Sequence, residues 1–517
     1  MLDICDGVRI ADCVYDGRQA APKRLIMNQP TAASSAITDR VFSSCMAWVA
    51  RLRAMDVPGW VWVVLLWGIF AFPAVGLRGT HYEEGTVIGL ARGALEDGHW
   101  LAPDLYGNRF VERPVLLSWI AAAIGKLFGG VNVWSARLPH LLFLLAGGLM
   151  VFHLVRPITR TAPAVFGALC WFTCSMVAQK FITAEPDVTL SVLLFSAFGV
   201  WWKGAERGDV ALSRWLAVGL LLGVAGLTKG PQPIAYFTLG VGAYLLLRRR
   251  WRDLPGLLVA NAIAVVIVGA WYLAVSQPGD LQGWKNHSRL ADGMSAAQWL
   301  RDHLDFTASL FVEWLPGSLL LGPAIVALWR REAFRDNDLL LAVVLYAVAG
   351  SLVLLVWPGG VATRYAMPAS LALAVLAGVL FDRWWSSRGW LIGAGNTVAI
   401  SISVYLVLLG WVAMPLAPDA FRQTRIAAQT IEAVRALRPG MLYVSPAATN
   451  LNILAYLAAP IRIMPLTDIE QLTAAAWALL TPAELAVLAA RKPNLRLVLH
   501  AAIPDKTQAR IVEIWPQ

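Results

Sequence analysis

The chain has 517 residues, 58% of them hydrophobic and only 15% charged, with a mean hydropathy of +0.60. That balance lies outside the range of a soluble globular protein and defines a polytopic α-helical membrane protein. The formal net charge of +10 reads as basic residues gathered in cytoplasmic loops, so nucleic acid is excluded as a partner and the lipid bilayer is implied.

Residues 1–55 read as an N-terminal cytoplasmic tail. Its first 45 residues carry no apolar stretch resembling a signal sequence, and "MAWVARLRAMDVPGW" from Met46 reads as a natural start with a basic flank. Cys5, Cys13 and Cys45 precede the first span, while Cys170 and Cys174 sit four apart in an apolar run. No disulfide scaffold is implied.

A span needs roughly 17 to 25 apolar residues to cross ~30 Å of hydrocarbon. In chain order the candidates are 60–77, 138–155, 161–179, 186–202, 213–229, 231–247, 255–275, 309–329, 339–357, 364–381 and 389–413. The segment "PVLLSWIAAAIGKLFGG" at 114–130 is apolar, but it is short and interrupted by Lys126. If it spans, "RRRWRD" at 248 and "RREAFRD" at 331 fall outside, against the positive-inside rule, so it is assigned to the interface. Residues 56–413 then form a transmembrane domain of about 11 to 13 spans. Its first exterior loop, 78–137, carries juxtamembrane helices.

From about 414 the composition changes. "GMLYVSP" and "LRLVLHA" read as strands, and "NLNILAYLA" and "TPAELAVLAARK" as helices, so 414–517 is expected to be a small exterior α/β domain.

This topology collects Glu83, Glu84, Glu112, Glu185 and Asp187 on the exterior face near the membrane boundary. A carboxylate at the edge of a low-dielectric region is costly unless paired, so such acids are functional candidates. The bland alternatives are explicit. The Glu83–Glu84 pair could be a dipole cap for the helix "EEGTVIGLARGALEDG", and Asp187 could cap the run after "TAEP".

The stretch "EEGTVIGLARGALEDGHW" followed by "PDLYGNRFVERPVLLSWI" resembles the first exterior loop of the ArnT-like and protein O-mannosyltransferase-like integral-membrane glycosyltransferases of the GT-C fold. In that family an acidic pair opens the loop, and its first member is held to be the catalytic base; Glu83 and Glu84 match the pair. Phe110, Glu112, Arg113 and Pro114 match a later element, and "TAEPDVTL" places Asp187 at a second acid. "GLTKGP" with Lys229 and "TRYAMP" with Arg364 and Tyr365 follow in order. Glu83 stands where the family usually has Asp, and the longer side chain leaves open which acid of the pair faces the acceptor.

The resemblance implies an inverting transferase that uses a polyprenyl-phosphate sugar as donor at the periplasmic face of a bacterial inner membrane. Its acceptor would be a lipid such as lipid A, an envelope glycan or a protein. Glu83, Glu84 and Asp187 become the catalytic candidates, with Arg113, Lys229 and Arg364 on the donor phosphate. Tyr82, Glu112 and Tyr365 become substrate-binding candidates. Related enzymes sometimes hold a divalent cation, for which Glu112 and His287 would serve here, although the alternative for His287 and His303 is solvated loop histidines. Two further readings compete: a secondary transporter, which would show inverted repeats and acids near the midplane, and a catalytically inactive scaffold.

Overall fold

The computed structural model describes residues 57–75, 78–81, 83–280, 295–320, 338–359, 361–387, 420–437 and 440–516. The chain divides at Pro58/Gly59, and every helix and strand described belongs to the unit Gly59–Gln517.

Helix α1 (Gly59–Val75) leads to the long first loop, which holds α2 (Glu84–Leu95), the hairpin β1–β2 (Asp104–Leu105, Asn108–Arg109) and α3 (Leu116–Leu127). Helices α4 (Val133–Val155), α5 (Thr161–Thr173), α6 (Pro186–Ala205), α7 (Leu212–Lys229), α8 (Gln232–Leu247) and α9 (Leu254–Val275) follow, then α10 (Ala296–Glu313), α11 (Asp338–Leu355) and α12 (Pro368–Ser387).

Among the described residues five helices are long and apolar enough to cross a membrane. They are α4 with its following turn, α6, α7, α9 with its preceding turn, and α11; the shorter apolar helices are Gly59–Phe72, Leu116–Leu127, Thr161–Thr173 and Gln232–Leu247. The fold is therefore polytopic, but the expected eleven to thirteen spans reduce to five by this measure. The predicted span 161–179 breaks at Cys174, where a one-turn helix, Ser175–Ala178, begins. The predicted span 309–329 is also corrected. Residues 309–313 end the polar-faced α10, and 321–329 lie outside the described residues, as does 389–413. Helix α3, at 12 residues, is shorter than the ~20 a span requires.

Small residues bring the membrane helices together. A Cβ on Gly219 of α7 would lie 2.8 Å from the Ala260 carbonyl oxygen of α9. The loop helices α2 and α3 share an apolar cluster of Val87, Ile88, Ala91, Leu117 and Ala121, completed by Ala184 and Ala455.

The C-terminal region forms α13 (Ala420–Arg435), β3 (Leu442–Val444), β4 (Ile461–Ile463), β5 (Ala476–Leu480), α14 (Pro482–Arg491), β6 (Arg496–Ala502) and β7 (Arg510–Trp515). Its mixed sheet runs β4-β3-β5-β7-β6, parallel across β4-β3-β5 and antiparallel across β5-β7-β6. Central β5, "AWALL", is buried along its whole length, as a strand covered on both faces requires. The two strands and the helix α14 read from the sequence are present, whereas "NLNILAYLA" contains only the turn Leu451–Leu454. The β1–β2 hairpin docks on edge strand β4: Ile463 N–H donates to the Tyr106 carbonyl (2.8 Å) and Asn108 Nδ2 donates to the Ile463 carbonyl (3.0 Å). Tyr106 is buried in the core of that region, so the first loop and the C-terminal sheet are one packed body.

Candidate active site

Glu83 occupies the turn before α2 and makes no side-chain cap hydrogen bond to it. Its carboxylate instead meets three cations from three distant segments. Oε2 lies 2.7 Å from Arg113 Nη2, and Oε1 lies 2.7 Å from Arg364 Nη1 and 3.7 Å from Lys229 Nζ. Arg113 enters from the loop before α3, Lys229 from the last turn of α7, and Arg364 from the 3₁₀ turn Thr363–Ala366.

Asp187 joins the same cluster through Lys229, whose Nζ lies 2.7 Å from Asp187 Oδ1. Lys180 Nζ contacts the other oxygen at 3.2 Å. Asp187 sits in the first turn of α6, but its carboxylate is spent on these two lysines and not on capping. Neither acid caps a helix through a side-chain hydrogen bond, and the two, 104 residues apart in sequence, share one lysine.

Glu84 turns the other way. It and Arg137 of α4 are fully buried and paired through two hydrogen bonds, Nε to Oε1 at 2.7 Å and Nη2 to Oε2 at 2.9 Å. Glu84 Oε1 also accepts the Ala184 N–H (3.2 Å), while Arg137 Nη1 donates to the carbonyls of Val75 and Arg78. This staple joins α1, α2, α4 and the loop before α6. It points Glu84 away from the three cations.

Burial disfavours the ionised form of Glu83, but Lys229, Arg113 and Arg364 outweigh it and hold its carboxyl below the ordinary value. Arg364 is raised: burial opposes its charge, and Glu83 and Asp187 more than compensate.

The other expected residues fall as follows. Tyr365 is half-buried, with Lys229 Nζ 5.9 Å and Arg364 Cζ 5.6 Å from its ring centre. Its carbonyl accepts from Tyr236 Oη and Gln232 Nε2, which fixes the turn carrying Arg364. Glu112 is exposed, and Tyr82 and His287 lie outside the described residues. Among the described residues no group of three His, Cys, Asp or Glu could hold a metal ion. His303 corrects the expectation of a solvated loop histidine: it is buried on α10 and stacked on Trp299, with ring centres 4.1 Å apart.

Beside the cations lies a cavity of about 360 Å³, lined by Arg113, Lys229, Gln232, Tyr236, Leu354 and Tyr365 among others. Its charged end is the Arg113–Lys229 side, and its walls are mostly aliphatic and aromatic. Sequence reasoning missed four contributors: Arg137, His140, Lys180 and the segment Asn452–Tyr456. Asn452 Oδ1 accepts the Gly85 N–H (3.2 Å) and Tyr456 Oη accepts the Thr80 N–H (3.0 Å). A Cβ on Gly85 would lie 2.5 Å from the Leu451 backbone, so only glycine fits there. No local pattern announces such long-range partners; a basic residue at the edge of an apolar run is the only hint for Arg137 and Lys180.

A helical membrane body with this loop and this sheet domain has a GT-C-like fold. In fold the chain is similar to ArnT. Its fold matches ArnT from Cupriavidus metallidurans bound to undecaprenyl phosphate with a TM-score of 0.68 at 18% identity, covering 90% of this chain and 98% of that one. The apo state of the same protein matches with a TM-score of 0.65 at 19% identity, covering 91% and 98%. Residues 112–272 match the family model for dolichyl-phosphate-mannose-protein mannosyltransferase. Undecaprenyl phosphate-alpha-4-amino-4-deoxy-L-arabinose arabinosyl transferase 1 of Pseudomonas fluorescens (strain Pf0-1) is 27% identical over 333 residues, 61% of this chain and 56% of that protein. The corresponding protein of Pseudomonas aeruginosa (strain UCBPP-PA14) is 28% identical over 384 residues, 71% and 66%. The chain thus spans less than two thirds of the length of these curated relatives.

Proposed function

We propose that the chain is an inverting glycosyltransferase that moves a sugar from a polyprenyl-phosphate donor to an acceptor on the exterior face of a bacterial inner membrane. The observation that carries this reading is the convergence of Arg113, Lys229 and Arg364 on one carboxylate at the end of an apolar-walled cavity. Fixed cations beside aliphatic walls suit a phosphate with a prenyl tail. The acceptor is a lipid such as lipid A, an envelope glycan or a protein; what the Pseudomonas relatives are named for is the donor, an undecaprenyl-phosphate-linked 4-amino-4-deoxy-L-arabinose.

Glu83 acts as general base. It takes the proton of the acceptor hydroxyl as that oxygen bonds to the anomeric carbon; the bond from that carbon to the phosphate oxygen breaks, and the prenyl phosphate leaves with the electron pair. Direct displacement inverts the anomeric centre. The three cations stabilise the charge gathering on the leaving phosphate, and Asp187 orients Lys229. Arg113 and Arg364 hold Glu83 while the site is empty. A donor phosphate draws those guanidiniums onto itself, and Glu83, relieved of two cations, regains basicity when the acceptor arrives. Glu84, clamped by Arg137, shapes the turn without entering the reaction. Tyr365, on the cavity wall, and Glu112, one residue before Arg113, are the candidates to contact substrate.

The test is transfer in detergent from labelled undecaprenyl-phosphate 4-amino-4-deoxy-L-arabinose, and from other undecaprenyl-phosphate sugars, to purified lipid A. The reading expects one donor to be consumed and inverted product to form. Consumption of none, with all donors shown to bind, would remove it.

A further inference from the structure

Glu185 stands two residues before Asp187, takes no part in the transfer chemistry, and has a fully buried side chain. Its Oε1 accepts the backbone N–H of Glu83 at 3.1 Å, across 102 residues of sequence. Its Oε2 lies 3.5 Å from Lys180 Nζ, which is nearer to Asp187 at 3.2 Å. The Glu185 N–H is donated to His140 Nδ1 (3.2 Å), which leaves the ring proton on Nε2 to be donated to the Lys180 carbonyl (2.9 Å). One buried imidazole of α4 thus ties both ends of the loop from Lys180 to Glu185.

We propose that Glu185 is a positioning residue: by holding the Glu83 N–H it fixes the turn from which the Glu83 carboxylate enters the charge cluster, and His140 locks Glu185 from behind. Two plainer roles fit poorly. Glu185 is the N-cap position of α6 yet makes no cap hydrogen bond to it, and an acid placed only for Lys180 would not turn one oxygen onto a distant peptide group. The turn is pinned at two successive residues, at the Glu83 N–H by Glu185 and at the Glu84 side chain by Arg137. A base that must meet its proton within hydrogen-bond reach needs its backbone held in this way. The kinetic consequence rests on the reading of Glu83 as base; the hydrogen bond does not.

Four groups face Glu185: Lys180 on its own loop, His140 from α4, Glu83 from the turn before α2, and Asp187 from α6. Burial raises the Glu185 carboxyl to about 7, against the pull of Lys180 and with the push of Glu83 and Asp187. Either protonation state keeps an oxygen for the Glu83 N–H. Ionisation adds negative charge beside Glu83 and makes it more basic, so kcat should rise with pH through neutrality, and Glu185→Gln should lack that step.

Hydrogen–deuterium exchange of the full chain in detergent, read on peptides covering 79–90, tests the contact directly. Glu185→Gln keeps an acceptor oxygen and should leave the Glu83 amide protected. Glu185→Leu should speed its exchange by about tenfold, the cost of one such hydrogen bond. In transfer from undecaprenyl-phosphate 4-amino-4-deoxy-L-arabinose to lipid A, Leu should lower kcat about tenfold with donor KM unchanged, and Gln about threefold. Unchanged exchange in Glu185→Leu overturns the proposal. If the Leu variant fails to fold, Glu185→Ala is read in its place, and unchanged exchange there overturns the proposal. Wild-type transfer by Glu83→Gln would overturn the base reading and leave the exchange result standing.

Discussion

The cluster around Glu83 and the staple around Glu84 are built from adjacent residues and the same kinds of charge, yet they solve opposite problems. Around Glu83 three cations meet one carboxylate at a half-buried rim, an excess of positive charge that an incoming phosphate can take up. Around Glu84 one guanidinium meets one carboxylate in full burial, with the remaining donors satisfied by main-chain carbonyls. The first arrangement is unsaturated and exchangeable, the second closed. Two acids in sequence can therefore serve a reaction and a fold separately, and the difference lies in what each meets.

That contrast can be broken in graded ways. Glu83→Gln should lower transfer by about 10² to 10⁴-fold, the range general bases supply, without lowering the unfolding temperature in detergent. Arg137→Met should do the reverse. It leaves Glu84 charged and unpaired in the interior, a loss of about 3–5 kcal/mol, and adding Glu84→Leu should restore most of it, which denaturation of the single and double variants would read. Asp187→Asn should impair transfer, and combined with Glu83→Gln the loss should be close to that of the worse single change, because both acids contact Lys229 and bear on one transition state; additive losses in rate would separate them. Arg113→Lys keeps the charge and loses the fork, so donor KM should rise by about tenfold while the acceptor KM stays put.

The smallest effect is in pH. Glu185 is raised from 4.5 to about 7 in the folded chain, so between those values the folded state binds the extra proton and stability falls as pH rises. Glu83 is lowered, so its contribution is present above the ordinary carboxylate value and lost as pH falls through its own. Glu185→Gln should therefore flatten the decline of thermal stability between pH 4.5 and 7 while leaving the acid limb.

Much of the cluster was legible because its parts lie at the ends of apolar runs. Glu83, Asp187, Lys229 and Arg364 each sit where a helix begins or ends, and charge at such a place stands out against uncharged neighbours. Arg113 was legible through the motif around it. What the sequence hid was pairing. The side-by-side acids gave no sign that Arg137, 53 residues on, claims one of them, nor that the Asn452 side chain meets Gly85 across 367 residues. The break at Cys174 was hidden for another reason: the run reads as one largely apolar segment, and the Ser175 N–H that would continue the helix is donated instead to the distant Leu315 carbonyl. The C-terminal sheet was half visible, since β3 and β6 are bounded by turn residues, whereas buried β5 looks like any short apolar run.

The central claim is that Glu83 reacts and Glu84 only braces. Single-turnover transfer from a labelled undecaprenyl-phosphate sugar, measured with Glu83→Gln and Glu84→Gln at matched concentrations of folded protein, tests it most directly. The expected result is a folded, donor-binding but inert Glu83→Gln enzyme and a destabilised Glu84→Gln enzyme whose folded fraction turns over within about threefold of wild type. A Glu83→Gln enzyme that transfers at the wild-type rate, or a well-folded and inert Glu84→Gln enzyme, would contradict it.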